Sequence, residues 1–201
     1  MCRVVIFIAL FSFFNLRSTN AQNSSFKGLF IGPEVGNQYL FGGAQVDGVE
    51  TIGDGNRWII GGTILYRNYL RRSILWGVEF QWNRPQGAFR NNANPDGTIV
   101  DYQIRPQTAL QFTLGKELGQ AKDCILMAYF AINQTRFNID IHRPMGFFQQ
   151  TDFENFGRVG LGFEQHFLER WSARFLVGTS MDALEGTKNG VDGKLSVLFS
   201  I

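Results

Sequence analysis

The chain has 201 residues, 19 of them basic and 17 acidic, for a formal net charge of +2. So even a balance gives no electrostatic footprint for nucleic acid. With 23 Gly and 20 Phe beside five Pro, the composition fits a turn-rich sheet protein with an aromatic surface better than a parallel α/β enzyme.

Residues 1–21 read MCRVVIFIALFSFFNLRSTNA, in which Arg3 precedes an apolar run from Val4 to Leu16 and small residues follow at Thr19 and Ala21. This is the pattern of a secretory signal peptide, with cleavage expected between Ala21 and Gln22. The run falls short of the roughly 20 apolar residues a spanning helix needs. Removing the leader with Arg3, Arg17 and Cys2 leaves 17 basic residues against 17 acidic ones and a lone Cys124. An internal disulfide, a CxxC redox pair and a cysteine-based metal site are thereby excluded. Cys124 reads as a small apolar residue at the start of a strand.

From residue 22 to residue 201 a single domain is expected, because no linker or low-complexity tract divides it. Apolar period two recurs almost everywhere and a sustained 3.6-residue period nowhere. Strands are predicted over 26–36, 57–68, 73–83, 98–114, 124–139, 153–167, 171–178 and 191–201. In the third, Ile74, Trp76, Val78, Phe80 and Trp82 alternate with Gly77, Glu79 and Gln81. In the fourth, Val100, Tyr102, Ile104, Pro106, Leu110 and Phe112 alternate with Asp101, Gln103, Arg105 and Gln111. Pro106 has no N–H to give a ladder, so a bulge or weakened pairing is expected there. The last strand, VDGKLSVLFSI, is expected to close the sheet on itself. Stretches 37–56, 84–97, 140–152 and 179–190 read as long loops, alternating with shorter turns at 69–72, 115–123 and 168–170, the layout of an outer-membrane barrel.

Alternation alone does not separate a soluble barrel from a membrane barrel, since each is the other turned inside out. The aromatics and ions decide it. Trp58, Tyr66, Trp76, Trp82, Tyr102 and Trp171 fall on the apolar register, as does Tyr129, and several stand near strand ends. Trp58 and Tyr66, eight residues apart, are separated by roughly 27 Å along a strand and about 20 Å of height once tilted, near the spacing of two interfacial girdles. Indole and phenol rings favour such interfaces because one end meets hydrocarbon and the other water. The opposite register carries Glu34, Glu79, Arg105, Arg136, Arg158, Glu164, Arg174 and Lys194, expected to form an interior polar network, with Arg57, Arg67 and Asp140 beside them. Gly28, Gly32, Gly61, Gly77, Gly160 and Gly162 share that register, as suits a lumen only just wide enough for its side chains. A three-residue loop at 168–170 would set Glu164 opposite Arg174 and predicts a salt bridge between them.

The stretches GLFIGPEVG, IIGGTILYRN, LWGVEF and FGRVGLGFEQHFLERWSARFLVG resemble the small outer-membrane β-barrel families, the OmpA/OmpX-type and opacity-like "porin family" proteins. The likeness covers nearly all of residues 26–201. Leu176 departs from it where such strands often carry an acid, and Ile201 where an aromatic is typical. The resemblance implies an eight-stranded antiparallel up-and-down transmembrane β-barrel in the outer membrane of a diderm bacterium. It further implies a scaffold displaying surface loops for envelope integrity or surface interaction. Its partners would be outer-membrane lipid and lipopolysaccharide, with barrel-assembly machinery during insertion.

No phosphate-cradling glycine loop, HExxH or GxSxG is present, so no catalytic residue, cofactor or metal is expected. Three other readings are weighed against the scaffold. His166 could meet Ser172 across the hairpin, with Glu164 two residues away, as a lipid hydrolase would require; an interior polar cluster is the favoured alternative. A soluble lipocalin-like barrel would hold lipid in an apolar interior, and a narrow pore would conduct. GDGN at 53–56, near Asp47 and Glu50, lacks the full calcium-loop spacing and reads as a surface turn.

Overall fold

The computed structural model describes residues 26–40, 43–46, 49–52, 55–86, 88–90, 97, 99–119, 123–182 and 190–201. The leader and its cleavage position, Asp47, and Gly53 and Asp54 of the GDGN stretch lie outside the described residues.

Eight strands close into a ring: β1 (Gly28–Leu40), β4 (Gly55–Arg71), β5 (Ile74–Pro85), β7 (Ile99–Leu118), β8 (Cys124–Arg143), β9 (Gly146–Leu168), β10 (Trp171–Asp182) and β11 (Gly190–Ser200). Each pairs antiparallel with its sequence neighbour, and β1 pairs with β11 to seal the seam. β2 (Gly43–Val46) and β3 (Val49–Ile52) form a separate hairpin, and β6 (Ala88–Arg90) adds to β7 beyond the reach of β5. Closure pairs every internal edge, which is what lets a sheet sit in a solvent unable to hydrogen-bond.

The eight predicted strands correspond to these eight, most of them running further toward the long-loop rim. The largest difference is at 140–152, read above as a loop. There β8 and β9 run on, Ile99–Ile104 of β7 pairing His142–Phe137 of β8 and residues 146–155 of β9 pairing 134–143. A two-residue turn, Pro144 and Met145, joins them. The sheet β6–β7–β8–β9 thus projects past the rim of the barrel.

The bulge expected at Pro106 is present: Ile104 pairs with Phe137 but Gln107 with Thr135, so Arg105 and Pro106 together oppose Arg136. Two residues against one is the signature of a bulge. Arg105 and Pro106 are both exposed and Gln107 is buried, so the alternation read through Pro106 is broken at this point.

Which face turns inward is plain from exposure. The indoles are on the outside, Trp58 at 62% and Trp82 at 47% exposed, together with Ile60, Ile64, Phe80, Phe112, Leu114, Phe130 and Leu161. Glu79, Gln81, Gln111, Glu164 and Arg174 are fully enclosed. Above the bulge the pattern reverses. On β8 the outward row runs Leu126, Phe130 and Ile132, then Gln134, Arg136 and His142, with Asp140 half-buried and Asn138 buried between them. A row that turns from apolar to polar along one strand marks where hydrocarbon gives way to water.

Candidate functional site

The lumen holds the concentration of chemistry in this chain. Its middle layer is built around Glu79, on β5. Both terminal nitrogens of Arg174 donate to its carboxylate at 2.6 Å, and Thr63, Gln81 and Gln111 donate to it as well. Arg174 lies on β10, four strands away around a ring of eight, so its guanidinium reaches across the whole lumen. Glu34 lies 3.7 Å from Arg174 and takes Lys194 at 2.8 Å, while Lys194 also donates to Gln81 at 2.8 Å. Ser196 donates to Glu34 at 3.1 Å.

A second pair crosses the lumen nearer the short turns. Arg67 of β4 grips Glu164 of β9 with both terminal nitrogens, and Ser172 donates to the same carboxylate at 2.7 Å. Toward the other rim, Arg158 holds Asp192 at 2.6 Å and donates to the Tyr129 hydroxyl at 2.9 Å. Glu34, Glu79, Glu164 and Asp192 thus meet Arg67, Arg158, Arg174 and Lys194 one for one. Buried ions persist only when paired and hydrogen-bonded, and bidentate guanidinium to carboxylate is the strongest such geometry.

Toward the short turns the lumen is apolar, with Phe26, Leu75, Ile125 and Met127 as its floor, and the same buried cluster continues through Leu176 and Tyr129 up to the Arg158 contact. Phe26, two residues before Gly28 with its φ of +130°, is fully buried here and lies 4.0 Å from the His166 ring, centroid to centroid. The void left among Arg67, Leu75, Thr113, Gly115, Ile125 and Met127 is about 10 Å³, room for no more than one water. Glycines make this packing possible: a Cβ on Gly178 would stand 2.1 Å from the Tyr129 hydroxyl oxygen, and one on Gly160 would be 2.6 Å from it.

Of the residues expected in the interior network, Glu34, Glu79, Arg158, Glu164, Arg174 and Lys194 are buried there. Arg105 and Arg136 are not, and that expectation is corrected. Both are exposed on the outer side of the projecting sheet, where the Arg136 guanidinium sits 5.7 Å from the Phe153 ring. The cause on β7 is the bulge. On β8 it is the apolar floor: Ile125, Met127 and Tyr129 face inward and Leu126, Ala128 and Phe130 outward, so both registers read apolar and parity could be assigned the wrong way. Tyr129, placed on the lipid register by the sequence, is a lumen residue for the same reason. Trp58, Tyr66, Trp76, Trp82 and Trp171 all face outward. Tyr102 pairs with Ile139 above the bulge, and its side chain lies outside the described ones.

The expected Arg174–Glu164 bridge is also corrected. The two residues are directly opposed on the ladder, but their carboxylate and guanidinium are each taken by a partner on the far wall. Neighbours on one wall project side by side, whereas long side chains from opposite walls meet end to end. Asp192 and Phe26 are further lumen residues that alternation did not single out, although Asp192 shares parity with Lys194 and so carried a signal.

The trio weighed for lipid hydrolysis does come together, Ser172 opposing His166 with Glu164 beside them. Yet the serine hydroxyl is spent on Glu164, already held by Arg67, and the His166 Nδ1 lies 3.4 Å from the Trp171 carbonyl. This is the wiring of a structural cluster, not of a base poised on a nucleophile. A lipocalin-like reading fails on the ionic, filled lumen. Among the described residues no group of three His, Cys, Asp or Glu is arranged to hold a metal.

No family model and no curated protein matches this chain. Solved structures do. The chain is similar to Ail, the attachment invasion locus protein of Yersinia pestis in complex with the heparin analogue sucrose octasulfate, at 11% identity and a TM-score of 0.53, covering 88% of this chain and 100% of that one. A second structure of Ail matches at 10% identity, with the same TM-score and coverage. Neisserial surface protein A matches with a TM-score of 0.49 and 6% identity over 87% of this chain and 98% of that one. At such identities the likeness to Ail is one of fold. The fold is that of the small outer-membrane barrels, a closed eight-stranded antiparallel ring.

Proposed function

We propose that this chain is an integral protein of the outer membrane of a diderm bacterium, a scaffold whose barrel anchors the projecting sheet β6–β7–β8–β9 at the cell surface. One observation carries the reading. Trp58 is 62% exposed while Glu79 and Arg174 are 0% exposed, an arrangement stable only where the outside is hydrocarbon. Lipid and lipopolysaccharide would then be the barrel's surroundings, and assembly machinery its partner during insertion. Closed walls and a filled lumen favour anchoring over transport. The sulfated ligand of Ail is not carried over, because the described side chains of the projecting sheet mix Arg136 and Arg143 with Asp101 and Asp140.

Topology tests the proposal directly. Met145, at the tip of the β8–β9 hairpin, is fully exposed, and Arg72 lies in the short turn at the opposite rim. In a Cys124→Ser background, Met145→Cys should react with a membrane-impermeant maleimide on intact cells, and Arg72→Cys only after the outer membrane is opened. Labelling of both on intact cells, or recovery of the protein with soluble periplasmic contents, would overturn the proposal.

A further inference from the structure

The outer wall is not evenly covered. A groove of about 660 Å³ runs across β5, β4, β1, β11 and β10, bounded by Phe80, Ile64, Ile31, Phe199 and Trp171 along one side and reaching Trp82 at its upper end. Its bed is Gly62 of β4 and Pro33 of β1, paired across the ladder; the paired positions Val197 and Ala173 on β11 and β10 are likewise smaller than the flanking Phe199 and Trp171. Beyond them stands another row of large side chains, Ile60, Val35, Leu195 and Phe175. The groove itself is walled by the first of these rows and by Trp82, with Gly62 and Pro33 beneath it.

The gap is not forced by packing beneath it. A Cβ on the neighbouring Gly61 would lie 2.1 Å from Asn83 Oδ1, so that glycine is required by the lumen. On Gly62 the nearest atom would be 3.5 Å away, an ordinary contact, so a larger side chain would fit and point outward. Five strands at about 4.8 Å spacing give the trough a length of roughly 19 Å. Strand tilt turns that into about 12 Å of height, less than half of a hydrocarbon core of roughly 30 Å. The groove therefore begins at the rim of the short turns and climbs through one leaflet.

Its lower end has the chemistry of a headgroup site. Trp171 follows Arg170 in the turn between β9 and β10, and the Arg170 carbonyl accepts from Ser200 N at 2.8 Å, which holds the turn against Phe199. An exposed guanidinium and an indole N–H at this interface are donors for a phosphate or an ester oxygen.

From this we infer that the groove is a binding site for one acyl chain of a periplasmic-leaflet glycerophospholipid, whose phosphate lies at Arg170. The inference rests on the outer-membrane reading. Within lipid there is no hydrophobic gain in burying one more apolar group, so the site works by close contact with the bed and the wall beside it and by the charge at its end. A helix, about 10 Å across, is too broad for the trough.

The test uses the full barrel, extracted from membranes containing phosphatidylethanolamine and phosphatidylglycerol and examined by native mass spectrometry. Heat-modifiable gel migration, read in parallel, reports whether each variant is a folded membrane barrel at all; a wild type that fails this second readout sinks the outer-membrane reading itself. The wild type should retain one phospholipid. Gly62→Leu, which fills the bed, should lower the retained fraction by about fivefold or more, with migration unchanged. Arg170→Gln should lower retention of both phospholipids, since both carry the phosphate placed at this guanidinium. Ala128→Leu, on the outer face of β8 away from the groove, should change neither. A folded wild type without bound phospholipid, with lipid A in its place, or pairing with a second copy through this face would overturn the inference. So would a folded Gly62→Leu barrel with undiminished phospholipid.

Discussion

Arg174 illustrates what a single side chain does in this molecule. Its guanidinium is enclosed by the lumen and balanced chiefly by Glu79 on the facing wall. Removing one member of such a pair strands the other in a place with little water. Glu79→Ala is expected to cost about 3–5 kcal/mol of stability, against a much smaller cost for the double replacement Glu79→Leu with Arg174→Met. Urea titration of the heat-modifiable gel shift measures both; equal costs for the single and the double variants would show that the pair is incidental. Much of this was legible in advance. Glu79 and Arg174 sit on the polar register of strongly alternating segments, and alternation assigns a side to each residue. It does not assign a partner: the ladder offers Glu164 to Arg174, while the width of the ring offers Glu79. The lumen position of Tyr129 was illegible for a different reason, since a strand crossing an apolar floor carries grease on both faces.

At the scale of the element, β7 is the informative strand. Its bulge opposes Arg105 and Pro106 to Arg136 alone, so one residue there is surplus to the ladder. Deleting Pro106 should heal the pairing and keep both faces in place, leaving heat-modified migration and barrel yield unchanged. Deleting Thr113, which faces the lumen within the regular ladder, should instead flip every side chain on one flank from lumen to lipid and abolish folding. Comparable yields from the two deletions would show that the register is not fixed in this way. The bulge itself was readable from a proline inside an alternating run. The continuation of β8 and β9 through 140–152 was not, because the outward row changes from Ile132 to Arg136 and His142 as it leaves the lipid. Once the surroundings change from oil to water, a continuous strand loses the continuous pattern by which it is recognised.

Taken whole, the molecule is a ring whose lumen is closed by ion pairs across its middle and by Phe26 and its neighbours at its floor. Ions have no route past two trans-lumen bridges and a close-packed apolar cluster, so the wild-type barrel in planar bilayers should show no steady conductance, and a stable open level would contradict the filling described here. The seam between β1 and β11 is made of the same antiparallel pairing as every other junction, and the amide of Ile201 donates to the Leu29 carbonyl at 3.0 Å. A circle of equivalent joints has no first strand. Cutting the chain at Glu169–Arg170 and splicing residue 201 to residue 26 through a short linker should therefore yield a permuted barrel that still inserts and migrates as folded. The order in which the strands are synthesised would then be a matter of history, while the molecule's identity resides in which strand stands beside which.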